Sequence, residues 1–222
     1  MAAMVRLVRT HPSGGLLVAQ LAAVLGYPFL DHTTWGRAVI GVVNMLVVLA
    51  AVYAVRRTPA FSWMTVVVGV PAVIFTVLEA NFPTHEGIVL TSALLHAPFY
   101  FYVSYAMVRY LYEDDQVSQD ELFATGAAFT VVAWGFAYVF AAVQVLWPGS
   151  FMGAGGEDEL VWFELLFLSF TNLTSVGLSD VLPVLDHARS VVMVQQVVGV
   201  LYIALVVARL VGLTAARARR TP

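Results

Sequence analysis

The sequence contains no cysteine and no lysine, and all 11 of its positively charged side chains are arginine. Without cysteine, the chain can form neither a disulfide nor a thiolate metal site, and it has no cysteine nucleophile. Charged residues make up only 11% of the chain, whereas soluble domains carry about 25%. A net charge of -3 offers no basic surface for nucleic acid, which is therefore not expected as a partner.

Long apolar segments account for most of the chain. Hydrophobic residues make up 60% of the 222 residues, and an apolar run of about 20 residues is enough to cross a bilayer as a helix. We predict an all-α polytopic membrane protein with six transmembrane helices, at about residues 14–30, 37–55, 60–79, 87–111, 122–147 and 189–213.

The arginines predict how these helices are oriented. They occur at alternate ends of successive spans, and such ends are cytoplasmic in multi-pass proteins. The residues that follow this rule are Arg6, Arg9, Arg56, Arg57, Arg109, Arg209, Arg217, Arg219 and Arg220, whereas Arg37 and Arg189 are exceptions. Both termini are therefore expected in the cytoplasm, and the loop before the sixth span on the outer side.

A short motif between the fifth and sixth spans carries the functional information. It reads Thr-Ser-Val-Gly-Leu-Ser-Asp over residues 174–180, follows the aromatic run from Trp162 to Phe170 and precedes Pro183. Residues 123–214 resemble the pore module of tetrameric potassium channels, whose pattern is T-T-V-G-Y-G-D-x-x-P. The whole chain is similar to small prokaryotic ion channel proteins with four helices before one such pore.

The resemblance implies a passive potassium channel in a prokaryotic cytoplasmic (inner) membrane. In such a filter, backbone carbonyls replace the hydration shell of the ion. The carbonyls of Thr174, Ser175, Val176 and Gly177, with the Ser175 hydroxyl, would bind a dehydrated monovalent cation, K⁺ or Na⁺. No enzyme activity and no organic cofactor are expected.

The same resemblance predicts four regions along the chain. Residues 1–112 form a four-helix peripheral membrane domain, 113–121 a cytoplasmic linker, 122–214 the pore domain and 215–222 a cytoplasmic tail. The fourth helix carries only Arg109, at its end. Because a voltage sensor needs several arginines along one helix, the peripheral domain is not expected to sense voltage.

Residues 157–183 are predicted to form a re-entrant hairpin, with a pore helix that starts near Glu157, Asp158 and Glu159, where acidic side chains favour a helix N-terminus. Irregular backbone at membrane depth is tolerated only inside protein or beside water. One subunit has too few helices to enclose the hairpin and a pore, so a closed ring of four copies is expected.

The motif departs from the family pattern at its outer end, where Leu178 and Ser179 replace the usual Tyr and Gly. A glycine conformation at Ser179 would strain the backbone by roughly 1–2 kcal/mol, so either the neighbouring groups hold Ser179 in it or the outermost ion site is reshaped. Leu178 lacks the hydroxyl that braces the family filter, and a contact with Leu168 is expected to replace that brace. The filter is therefore expected to be less hydrogen-bonded and less selective for potassium.

Two further residues of the pore domain, Asp180 and Gly199, have expected roles. Asp180 faces Phe167 and Thr171 on the pore helix by alignment, and only Thr171 could donate a hydrogen bond to it. In the sixth span, Gly199 is a candidate gating hinge, with close helix packing as the equal alternative.

Other polar residues lie within predicted spans. Gln195 and Gln196 need partners at membrane depth, and one of them is expected to face the pore helix or the pore. His96 and Glu79 are titratable residues in the peripheral helices, with packing or an interfacial position as the ordinary interpretation and proton sensing as the alternative.

Two other functions remain open at this stage. Leu178 and Ser179 also fit a non-selective monovalent cation channel, or a non-conducting membrane scaffold or sensor with a degenerate pore. A transporter is less favoured, because the chain shows no inverted repeat and no paired broken helices. Flux measurements with potassium and sodium separate these alternatives.

Overall fold

The computed structural model describes residues 11–30, 35–36, 39, 41–42, 60–111 and 119–218. In these ranges the chain forms six α-helices with defined bounds and two short β-strands, and residues 35–36, 39 and 41–42 are helical as well. The elements with defined bounds are α1 (Pro12–Leu30), α2 (Ala60–Asn81), α3 (Glu86–Leu111), α4 (Gln119–Leu146), β1 (Phe151–Met152), α5 (Trp162–Leu173), β2 (Leu182–Pro183) and α6 (Asp186–Ala218).

Helices occupy five of the six predicted spans. The other span, at residues 37–55, lies largely outside the described residues, as do residues 113–118 of the predicted linker. Four of the described helices, α1, α3, α4 and α6, are long and apolar enough to cross a membrane. The chain is therefore a helical, multi-pass membrane protein, and the total of six spans stays a prediction.

Helix α4 lies at the centre of the described structure and packs against α1, α3, α5 and α6. Small side chains allow these helices to approach closely, as is common between membrane helices. They include Ala124, Ala127, Ala128, Ala133 and Ala137, all of which are buried. Large rings fill the remaining space, and the ring of Tyr100 on α3 meets Trp134 edge-on at 5.8 Å.

Polar contacts connect the N-terminal end of α4 to α1 and to α6. Asp120 accepts hydrogen bonds from the backbone N–H of Ser13 at 2.9 Å and from its hydroxyl at 2.8 Å, which fixes the start of α1. Arg209 on α6 forms an ion pair with Glu121 at 3.7 Å, and both side chains are mostly buried. The first turn of α4 is thus the junction between α1 and the end of α6.

The two strands close a loop at the opposite end of α4. They are antiparallel, with Phe151 opposite Pro183 and Met152 opposite Leu182. The backbone N–H of Val184 also donates to the Ser150 carbonyl at 2.8 Å. Because β1 follows α4 and β2 precedes α6, residues 153–181 leave and return at the same end of these helices. The sequence did not predict this pairing.

Candidate functional site

Helix α5 is the predicted pore helix, and its start differs from the prediction. Glu157, Asp158 and Glu159 precede the helix, which begins at Trp162. The side chain of Gln144 on α4 explains the delay: it accepts from the Leu160 N–H at 3.1 Å and donates to the Leu160 carbonyl at 3.0 Å. Both backbone groups of Leu160 are therefore engaged outside any helix.

The first turn of α5 has its own acidic cap. The carboxylate of Glu164 accepts a hydrogen bond from the Val161 N–H at 2.9 Å, and a negative charge at this end is favourable for the helix dipole. Farther along, Leu165, Leu166 and Leu168 are buried in the core. Helix α5 is thus anchored in the bundle and can hold the residues that follow it.

The segment after α5, residues 174–180, turns its N–H groups back towards the helix. The N–H of Ser175 donates to the Asn172 carbonyl at 3.0 Å. Those of Val176 and Gly177 both donate to the Thr171 carbonyl, at 3.1 and 3.0 Å. These bonds satisfy the carbonyls that a helix C-terminus leaves without intrahelical partners. The same bonds fix one side of the segment against α5.

The backbone of this segment alternates in the sign of φ. Ser175 has a φ of 59° and Gly177 a φ of 70°, and no other non-glycine residue in the described structure has a positive φ. Such alternation directs successive N–H groups to one side, as in backbone anion nests. The carbonyls then lie on the other side, and within the described residues those of Thr174 to Gly177 accept no hydrogen bond. The Ser175 hydroxyl is also without a partner there.

The alternation ends before Ser179, which does not adopt the glycine conformation. Its φ is not positive, and its hydroxyl accepts a hydrogen bond from the Val181 N–H at 3.1 Å. This local turn is one that serine side chains commonly form. Of the two alternatives for Ser179, the described chain therefore has the second: the outer end of the segment adopts a different shape.

The expected contact between Leu178 and Leu168 does not form within one chain. Leu168 is only 1% exposed because it points into the core of the bundle, whereas Leu178 is 77% exposed. Val176 is likewise 62% exposed. Leu178 therefore does not brace the segment from inside its own subunit.

The expected bond between Thr171 and Asp180 is also absent. The Thr171 hydroxyl donates to the Leu168 carbonyl at 2.9 Å, one turn back along α5, which uses its only hydrogen. Phe167, the other predicted neighbour, is 46% exposed, and Asp180 is exposed too. Within the described chain the Asp180 carboxylate has no hydrogen-bond partner.

Two glutamines on α6 bond the predicted pore helix, where the sequence predicted a contact with the pore helix or the pore for one of them. Gln195 is fully buried and donates to the Ser169 carbonyl at 3.0 Å and to its hydroxyl at 2.6 Å. The Ser169 hydroxyl in turn donates to the Ala133 carbonyl on α4 at 2.6 Å. Gln196 donates to the Asn172 side chain at 3.1 Å. Helix α5 is thus hydrogen-bonded to both long helices, although not through residue 178.

Gly199 lies where α6 approaches the C-terminus of α5. A Cβ atom at this position would overlap the carbonyl oxygen of Leu173. Backbone groups cannot move aside as a flexible side chain can, so glycine is required here for close packing. This contact favours packing over a hinge as the reason for the glycine.

We expect Gly199→Ala to lower the thermal unfolding midpoint of the purified protein, because the added methyl group forces α6 away from α5. Overpacking of this kind typically costs about 1–3 kcal/mol. Gly212→Ala on the same helix is the control, since no atom lies near its Cβ position. Intrinsic fluorescence during heating measures both variants. A Gly199→Ala protein as stable as the control would favour the hinge.

No group of three or more histidine, aspartate or glutamate side chains in the described residues could hold a metal ion. The oxygen atoms that the candidate site itself offers are the backbone carbonyls of residues 174–177 and the Ser175 hydroxyl. Neutral oxygen donors of this kind suit a hard, weakly bound monovalent cation.

A helical membrane protein with a short buried helix, a carbonyl-bearing segment and a following long helix matches a known class. Residues 126–215 match the family model described as Ion channel (Ion_trans_2), which represents a two-span pore domain of the potassium-channel type. The resemblance to the potassium-channel superfamily is thereby confirmed over this part of the chain. No curated protein and no solved structure matches the chain.

Proposed function

We propose that the protein is a homotetrameric cation channel that passes potassium passively through residues 174–179, with reduced discrimination against sodium. The observation that carries this proposal is the one-sided hydrogen bonding of the segment. Three successive N–H groups, of Ser175, Val176 and Gly177, bond to α5, so that the carbonyls of residues 174–177 are left for an ion.

Exposed apolar side chains support assembly from several copies. Val176, Leu178 and Phe167 are all exposed in one chain around the segment that should face the pore. Helix α6 adds an apolar face that includes Met193, Val197, Leu201, Leu205 and Val211. Lipid can cover part of α6, whereas irregular backbone within the membrane needs protein or water around it. Four copies around one axis would meet both requirements.

The geometry of the outer end supports the reduced selectivity. Ser179 does not continue the alternation of φ, and Leu178 offers no hydroxyl to a neighbouring subunit. The inner sites at Thr174 to Gly177 keep their arrangement in this proposal, and only the outermost site is altered. Bound K⁺ or Na⁺ ions are the only ligands that the channel function requires, and no catalytic residue is assigned.

The remaining parts of the proposal concern placement in the cell. We place the protein in a prokaryotic cytoplasmic membrane with both termini in the cytoplasm, because arginines mark alternate helix ends. The filter then opens to the outside, as the resemblance to potassium channels implies. The peripheral helices before residue 113 are proposed to surround the pore without sensing voltage.

We expect the purified protein to have the mass of a tetramer, four times the 24.1 kDa of one chain. Native mass measurement in a mild detergent is suitable, since the absence of lysine rules out crosslinking through lysine side chains. Four chains are required because a lone carbonyl segment cannot enclose an ion. A stable monomer or dimer, with no larger species over a range of detergents, would contradict the pore.

A further inference from the structure

A large cavity lies beside the start of α5, outside the candidate filter. Its volume is about 400 Å³, within the range of small-molecule sites in proteins. It is bounded by α1, the end of α2, the start of α3, α4 and the residues that lead into α5. Nothing in the proposed conduction route uses it.

One wall of the cavity is a continuous row of aromatic rings from three helices and the start of a fourth. Tyr27 lies 6.0 Å from Trp162, Trp162 lies 5.5 Å from Tyr138, and Tyr138 lies 5.8 Å from Tyr100, measured between ring centroids. All four rings line the cavity. Aromatic faces attract cations, with tryptophan the strongest.

Three carboxylates line the same cavity: Glu79 at the end of α2, Glu86 at the start of α3 and Glu159 before α5. The described lining residues include no arginine. The carboxylates do not come together as a metal site, since no such group of acidic and histidine side chains exists in the described structure. Negative charge spread around an aromatic wall suits a cation larger than a bare metal ion.

Polar atoms in the wall are available to such a ligand. The side chains of Tyr100 and Tyr138 are more than nine-tenths buried and line the cavity. The indole N–H of Trp162 is buried without a partner. Buried polar atoms are normally paired, so unpaired ones that border a cavity indicate a missing ligand or ordered water.

Glu79 is held in position by a buried network. The Ser92 hydroxyl donates to its carboxylate at 2.5 Å, and the Ser92 carbonyl accepts from His96 Nδ1 at 2.8 Å. The His96 ring in turn stacks on Tyr138 at 4.4 Å and bonds the Thr76 hydroxyl at 2.9 Å. His96 is thus a satisfied core residue, and it fixes one carboxylate and one ring of the cavity.

We propose that this cavity binds a small organic ammonium ion, with Glu79 and Glu159 as the charge partners and Trp162 and Tyr138 as the aromatic face. The ammonium ion is either a free amine or the headgroup of an aminophospholipid, since both present the same charge. Trp162 is the first residue of α5. The bound cation therefore contacts the helix that leads to the filter.

Binding is measured on the purified full-length protein by isothermal titration calorimetry, with benzylammonium as the probe and benzyl alcohol as its neutral counterpart. Potassium chloride is kept at a constant saturating concentration, so that the probe does not compete for the filter. We expect benzylammonium to bind about ten times more tightly than benzyl alcohol, because only the ammonium ion gains the cation–π and carboxylate attractions. Equal affinities would overturn the proposal.

Matched variants locate the site. Glu159→Gln and Glu79→Gln should each weaken benzylammonium binding about fivefold. This loss is at the upper end of the range of contributions that solvent-accessible ion pairs make. Glu157→Gln is the control, since it removes the same charge from the same loop but does not line the cavity. The control should change the affinity by less than about twofold. Equal losses in all three variants, or no loss in the first two, would place the probe elsewhere and overturn the proposal.

A second set of titrations, in lipid nanodiscs, distinguishes the two sources of the ammonium group. The titration is repeated in nanodiscs of phosphatidylglycerol alone and of phosphatidylglycerol with phosphatidylethanolamine. Weaker probe binding in the second lipid assigns the site to the headgroup, and unchanged binding assigns it to a free amine. Because no step measures conduction, a negative result leaves the proposed channel function intact.

Discussion

Gly177→Ala is expected to abolish potassium flux through the reconstituted protein while the tetramer still assembles. Gly177 has a φ of 70°, and its N–H bonds the Thr171 carbonyl. A side chain in this conformation costs roughly 1–2 kcal/mol per residue, and in the proposed tetramer four copies would meet at one axis. No atom of the same chain lies near the Cβ position, so the effect acts through the backbone and leaves the fold of each subunit intact.

Gly156→Ala is the matched control for this experiment. Gly156 also has a positive φ, of 86°, and also has open space at its Cβ position. It lies in the loop before α5 rather than in the filter segment, so the same backbone cost arises away from the ion. We expect Gly156→Ala to keep most of the flux. Undiminished flux through Gly177→Ala would show that ions take another route.

Restoring the family residues at positions 178 and 179 together should raise the preference for potassium over sodium about tenfold. This factor corresponds to the roughly 1–2 kcal/mol that a non-glycine residue needs in order to adopt a positive φ. Ser179→Gly removes the hydroxyl that bonds the Val181 N–H and permits the positive φ that would continue the alternation. Leu178→Tyr adds a hydroxyl to an exposed side chain that a neighbouring subunit can reach.

Reversal potentials under potassium and sodium gradients measure this change. The two single variants are the controls, and each should give a smaller change than the pair, because the backbone and the brace must both be restored. A wild-type channel already as selective as the double variant would mean that Leu178 and Ser179 are harmless. The altered outer end would then have no bearing on selectivity.

Most helices and the position of the filter segment could be predicted because their signals are local. Apolar length fixes where a helix can cross a membrane, and the described helices lie within a few residues of the predicted spans. The Thr-Ser-Val-Gly pattern is likewise contiguous, so it is visible without any knowledge of packing. The family match over residues 126–215 includes this segment, and the role of the segment as a filter stays a proposal.

The start of α5 was misplaced because its cause is distant in sequence. Acidic residues at 157–159 favour a helix N-terminus, but Gln144 engages both backbone groups of Leu160 from another helix. The β1–β2 pairing was missed for the same reason, since it joins two strands of two residues each that lie far apart in the sequence. Contacts that join residues far apart leave no periodic trace in the sequence.

The supports of the filter segment were only partly predicted, for a related reason. The family pattern predicted supports at residues 168, 171 and 178. In the structure, α5 is instead hydrogen-bonded to α6 through Gln195, Ser169 and Gln196. The signal was present, since two adjacent glutamines at membrane depth need partners. Their partners on α5 could be identified only once the two helices were placed side by side. The aromatic wall of the cavity could not be predicted for the same reason, since its rings come from four separate segments.

Potassium release from liposomes tests the central claim most directly. Liposomes loaded with potassium chloride and carrying the wild-type protein, with its tetrameric mass verified beforehand, are diluted into an equimolar sodium chloride solution that contains a proton ionophore. We expect potassium to leave these liposomes much faster than protein-free ones, and liposomes with Gly177→Ala to match the protein-free rate. Potassium retention by liposomes that contain the verified wild-type tetramer would contradict the channel and leave a non-conducting scaffold.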